Sequence, residues 1–319
     1  MTTGERTPAD ARVILLAIGL GVAAVLVGLA PWLLTGARLP LQNLWAAPVV
    51  EADGVTAAPE SMPVSLLPFS QYALTLQASL LITGSAVAGL VARAAGARRS
   101  RGAVIAVLAG TVGAQSVALV QSSVTVTGGL ADRVESVVYL GAVVGAAVAG
   151  IAFGVVVLLL IARARRGAAV VGLAVGAIAL AQWGYALVYP PFSLVTENVA
   201  VADSVLRWLP AVLVAAAIVW TGVSTIGRAI GATVALLGLW IGPAAITAIS
   251  SVAGSRVYAS YPFEMVEIAG SIFTSALASP ATWRAVVVAA VLAGIGLAVR
   301  RPVLERRRRH GERVAPSTS

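Results

Sequence analysis

The sequence predicts an all-α integral membrane protein with eight transmembrane helices, both termini cytoplasmic, and one extra amphipathic helix on the outer side. Three observations carry that reading. Hydrophobic residues fill 59% of the 319 positions and charged residues only 11%, too little polar surface to cover a soluble globule of this length. Apolar runs long enough to cross a hydrocarbon core of roughly 30 Å, at about 1.5 Å per residue, recur along the whole chain. Arginines gather at alternate ends of these runs. With the loops assigned alternately, 17 of the 22 arginines fall on one side and 9 of the 13 acidic residues on the other. The positive-inside rule makes the arginine side cytoplasmic.

The formal charge of +9 belongs to this pattern and not to a nucleic-acid partner. Every basic residue is arginine, and the richness in Ala, Val and Gly has the style of a GC-rich bacterial genome such as an actinobacterial one. The expected location is therefore a bacterial inner (plasma) membrane. Absence of cysteine removes disulfides and thiolate chemistry, and the single histidine, His310, lies in the tail. There is no phosphate loop, no HExxH and no cluster with metal-ligand spacing, so no metal, cofactor or catalytic group is expected.

Residues 1–12 form a cytoplasmic segment, and a single membrane domain covers 13–299. Its first span, 13–34, exceeds a signal-peptide core of about 7–15 residues and reads as a retained anchor. The first outer loop, 35–71, carries Pro40, Pro48, Pro59, Pro63 and Pro68, which argue against a helix through it. Within it, Asp53-Gly54 between β-prone residues has the signature of a hairpin turn. Span two, 72–92, leads through Arg93, Arg98, Arg99 and Arg101 to span three, 103–126. Asp132 and Glu135 have capping-box spacing ahead of span four, 137–162. The central turn, Arg163-Ala164-Arg165-Arg166, then opens span five, 168–188, which Pro190-Pro191 ends.

Span six, 204–226, places Pro210 in its first turns and pairs Asp203 with Arg207 at i,i+4 spacing. Gly227-Arg228 reads as the turn into span seven, 229–249, whose outer end Pro243 should kink. The second outer loop, 250–282, holds an amphipathic segment with Met265, Val266, Ala269, Ile272, Phe273 and Ala276 on one face. Glu264, Glu267, Ser271 and Ser275 line the other. Ser279 caps and Pro280 starts the last helix, with span eight at 283–299 and a basic tail at 300–319. All six tyrosines, with Trp32, Trp208 and Trp283, fall at or beyond the outer span ends, as an aromatic belt does. Arg101-Gly102-Ala103, Arg166-Gly167-Ala168 and Arg228 open outward spans at similar intervals, a weak repeat whose unit reads as a helical hairpin.

No ionisable residue lies mid-span, which disfavours a proton pump or proton-coupled antiporter. Uncharged polarity is present instead. Gln77 in span two, Gln115 and Ser122 in span three and Gln182 in span five either bond neighbouring helices or line a polar pathway. Glycines spaced by four, at Gly141/Gly145, Gly150/Gly154, Gly172/Gly176, Gly227/Gly231 and Gly238/Gly242, predict close helix contacts. An outer-face site could be built from Glu51, Asp53, Tyr258, Tyr261, Glu264 and Glu267. Arg306, Arg307, Arg308 and Arg309 are placed to contact anionic lipid at the inner face, at about 1 kcal/mol each.

Three functions follow as expectations. One is a non-catalytic scaffold or accessory subunit for cell-envelope or division machinery, with a protein partner in the membrane or on the outer face. Another is a permease-like or lipid-handling transporter. The third rests on Glu51 and Asp53, an arrangement similar to the polyprenyl-phosphate glycosyltransferases, which place acidic residues in the first outer loop. That resemblance implies a polyprenyl-dependent transferase and covers one loop of the chain.

Overall fold

The computed structural model describes residues 8–40, 44–46, 62–95, 101–192, 200–255 and 262–314, with the side chains of 8–10, 101, 262 and 301–314 outside that description. The described residues form nine α-helices and no strand. They are α1 (Pro8–Leu34), α2 (Leu74–Ala94), α3 (Arg101–Gly129), α4 (Val134–Arg163), α5 (Arg166–Val188), α6 (Ala200–Thr221), α7 (Ile226–Ala253), α8 (Pro262–Ala278) and α9 (Pro280–Val314). All but α8 include a stretch long and apolar enough to cross a membrane. The chain is a multi-pass membrane protein. The C-terminal ends of α2, α4 and α6 and the continuation of α9 share one end of the bundle, hereafter the arginine-rich end.

The helices pack as two similar groups of four. In the first, α1 packs on α2 and α3, and α4 on α2 and α3; in the second, α5 packs on α6 and α7, and α9 on α6 and α7. The recurring unit is thus four helices, not the two-helix hairpin expected from the arginine-glycine turns. Helix α5 joins the halves by lying against α2 and α4. A glycine contact marks the same junction in each half. A Cβ on Gly110 of α3 would collide with the Ile18 carbonyl of α1, and a Cβ on Gly231 of α7 with the Gly167 carbonyl of α5. Helices in lipid associate through such close backbone approach. Of the other spaced glycines, Gly150, Gly154 and Gly176 meet α2, Gly172 meets α4 and Gly242 meets Ile178 of α5. Gly141, Gly145, Gly227 and Gly238 face open space.

Several sequence-based boundaries shift. Helix α6 ends at Thr221, and the turn into α7 is 222–225, with Gly222 at φ +72°. A left-handed glycine past the last helical residue ends a helix without Cβ strain. Gly227-Arg228, read as that turn, lies inside α7. Because α6 begins at Ala200, Pro210 sits near its middle and not in its first turns. The N-cap of α4 is Arg133, with no side-chain cap, so Asp132 and Glu135 form no capping box. Ser279 does cap α9, its Oγ accepting from Ala281 N at 3.3 Å. Trp32 leaves the aromatic belt, being 1% exposed. The Asp53-Gly54 turn lies outside the described residues.

Candidate functional site

What fills the space between the helices differs in the two halves. In the first half the chain after α1 folds back into the bundle. Leu67 and Phe69 are fully buried, Trp32 Nε1 donates to Ser65 O at 2.7 Å, and Ser65 N donates to Ala37 O at 2.8 Å. Helix α3 receives this segment with its polar row. Leu66 N donates to Gln121 Oε1 and Leu67 N to Ser122 Oγ, both at 2.8 Å, while Gln121 Nε2 donates to Val64 O at 3.0 Å. A backbone that enters a bundle must find such partners, since an unmade hydrogen bond there costs about 1–3 kcal/mol.

The second half has no such insertion among the described residues. A cavity of about 590 Å³ lies between α5, α6, α7, α8 and α9, at the end opposite the arginines. Its wall is mainly apolar, including Ile178, Leu206, Leu239 and Ile272, and interleaved with Gln182, Thr247, Ser271, Ser275, Ser279 and Thr282. Such a mixture, at a volume within the usual 300–1,000 Å³, is the ordinary constitution of a small-molecule site. Pro210 of α6 and Pro243 of α7 both line it. Proline has no N–H, so the carbonyls of Leu206 and Leu239, four residues earlier and in the same wall, lack their intrahelical donor.

The polar side chains divide by what they already bond. Thr247 Oγ1 donates to Pro243 O at 2.9 Å, and Thr282 Oγ1 donates to Ala276 O and Ser279 O. Arg207 donates to Asp203 Oδ2 at 2.7 Å, the expected i,i+4 pair, so its charge is matched at the cavity wall. Gln182, Ser271 and Ser275 make no side-chain hydrogen bond among the described residues and are the groups left to a ligand. Helix α8 forms one side of the cavity. Its end is pinned where Trp240 Nε1 of α7 donates to Leu277 O at 3.0 Å. A smaller cavity of about 360 Å³, lined by Tyr72, Leu76, Tyr189 and Phe192, shares Gln182 and Tyr185 as wall.

The candidate polar pathway residues separate accordingly. Gln77 is fully buried with Nε2 donating to Val143 O at 3.4 Å, and Gln115 Nε2 donates to Leu81 O at 2.9 Å and Ser85 Oγ at 3.2 Å. The Oε1 atoms of both lack a hydrogen-bond partner. Ser122 holds the inserted segment, and of the four only Gln182 reaches a described cavity. Glu264 and Glu267 are exposed on α8 and line neither cavity, although Ser271 and Ser275, on the same sequence face, do. Val266, placed on the apolar face, is 73% exposed. Glu51, Asp53, Tyr258 and Tyr261 lie outside the described residues, as do the side chains of Arg306, Arg307, Arg308 and Arg309. Sequence reasoning passed over Thr247 and Thr282 and read Ser279 only as a helix cap; the available signal was two mid-helix prolines with a serine row at 271, 275 and 279.

No protein-family model, no curated protein and no solved structure matches the chain.

Proposed function

We propose that the chain is a lipid-handling protein of a bacterial plasma membrane, with the arginine-rich end and both termini in the cytoplasm. Its ligand is an amphiphile whose polar head bears hydroxyl groups. The observation that carries this is the cavity of about 590 Å³ at the opposite end, where an apolar wall meets unbonded Gln182, Ser271 and Ser275 and the two carbonyls released by proline. Those carbonyls accept hydrogen bonds and the serines and Gln182 both donate and accept, which suits hydroxyl groups better than a bare charge. Lipid is the apolar molecule most abundant where such a cavity sits.

The test is native mass spectrometry of the full chain extracted in a neutral detergent. A bound lipid with an uncharged, hydroxylated head is expected on the wild type. Ser275→Trp, which fills the cavity from an exposed position on α8, should remove it without lowering the thermal midpoint. A variant that keeps the same lipid in the same amount contradicts the reading.

An accessory-subunit role is the second reading, supported by Phe263 and Val266, which stand 91% and 73% exposed on α8 beside Glu264 and Glu267. A helix carrying large apolar side chains among carboxylates can dock a partner protein as well as a headgroup layer.

A further inference from the structure

A third cavity, of about 440 Å³, lies between the halves. Its wall is almost wholly aliphatic, with Val87 and Leu90 from α2, Leu173 and Leu180 from α5 and Leu213 from α6. Arg93 and Trp220 line it where α2 and α6 end, at the arginine-rich end. The Arg93 guanidinium carbon stands 4.8 Å from the Trp220 ring centroid, and that of Arg166 stands 5.8 Å from it. From α9, Arg300 donates to the Trp220 carbonyl at 3.0 Å and also to that of Val219. Guanidinium groups from three helices therefore meet on the last turn of α6.

Helix ends explain part of this convergence. The last carbonyls of a helix attract cations, and Arg300 serves α6 in that way while Arg93 donates to Ile161 O near the end of α4. Arg166 has no such role. It is the first residue of α5, where the helix dipole disfavours a cation, and it is exposed. Apart from the indole contact, its side chain makes no hydrogen bond or ion pair among the described residues. The acidic side chains described, Asp132, Glu135, Asp203, Glu264 and Glu267, all lie towards the opposite end of the bundle. The unpaired Arg166 charge, held beside Arg93 at one indole at the mouth of an aliphatic cavity, is an arrangement that an anion with an apolar tail would satisfy.

We infer that this cleft is a binding site for an anionic phospholipid, with its phosphate between Arg166 and Arg93 beside Trp220 and one acyl chain in the cavity. Guanidinium groups suit phosphate because their donors form a planar fork, and basic pockets between spanning helices take anionic head groups. The site is separate from the outer cavity. It also gives the junction of the two halves a ligand of its own.

Native mass spectrometry of the full chain in neutral detergent tests it, with titrations of phosphatidylglycerol, phosphatidylcholine of the same acyl chains, and inorganic phosphate. Phosphatidylglycerol should bind about tenfold more tightly than phosphatidylcholine, and inorganic phosphate more weakly than either. Arg166→Gln, at an exposed position, should weaken phosphatidylglycerol about fivefold, the equivalent of one surface arginine, with phosphatidylcholine and the thermal midpoint unchanged. Ala216→Trp, which fills the cavity, should weaken both lipids. Equal affinity for the two lipids, an Arg166→Gln variant that binds phosphatidylglycerol like the wild type, or phosphate binding as tightly as the phospholipid would each overturn the proposal.

Discussion

The two four-helix halves repeat one packing scheme but fill it differently. Away from the arginine-rich end, the core of the first half is built from large side chains, among them Trp32, Leu67, Phe69, Leu80 and Leu81, several supplied by the segment that folds back after α1; its other cluster is mostly alanine. In the second half, nine of the thirteen residues of the corresponding cluster are alanine. Between α1 and α4 the inserted segment fills one end of the bundle, whereas between α5 and α9 a cavity of about 590 Å³ opens at that end. Two halves with one packing scheme thus differ in their polar chemistry, which in the second half comes from Pro210, Pro243 and the serine row of α8 and its connection to α9.

The sharpest way to break that comparison is to hollow out the first half. Phe69→Ala removes a fully buried ring from the inserted segment and should cost about 3–5 kcal/mol, read as a fall in the thermal or denaturant midpoint in detergent. Ile272→Ala, in the wall of the second-half cavity, should cost much less because its neighbours on one side are already absent. Equal losses would mean that both halves are packed alike.

A smaller effect sharpens the same contrast at single hydroxyls. Ser122→Ala leaves the buried Leu67 N–H without its acceptor and should cost about 1–3 kcal/mol. Ser275→Ala breaks no hydrogen bond and should stay within about 0.5 kcal/mol of the wild type. Its expected consequence is reduced lipid retention after extraction, measured by mass spectrometry on the same preparation.

Composition and arginine placement were enough to read eight apolar spanning helices, because length and hydropathy are local properties. Ser279-Pro280 was legible as a helix start for the same reason. Helix facing was not. Along α5 apolar and small residues occur all round the helix, so periodicity does not distinguish the side that packs on α2 from the side that lines the cavity. The return of residues 62–70 into the first half was hidden because proline-rich sequence reads as an external loop, whereas its buried amides are satisfied by Gln121 and Ser122, distant in sequence. The turn at Gly222 was missed in favour of Gly227, although Thr221-Gly222 followed by Ser224-Thr225 is the stronger stop-and-start pattern. Of the candidate site, Gln182, Ser271 and Ser275 were named from sequence, but nothing in sequence placed them on one wall.

The central claim, that the hollow half is where lipid binds, is tested most directly by photocrosslinking in reconstituted liposomes. A lipid with an uncharged, hydroxylated head and a photoreactive group near that head is irradiated, and the labelled peptides are mapped. The account predicts labels on α5, α7, α8 and α9 around Gln182, Thr247, Ser275 and Thr282, lost in Ser275→Trp. Labels spread evenly over the two halves, or unchanged in that variant, would contradict it.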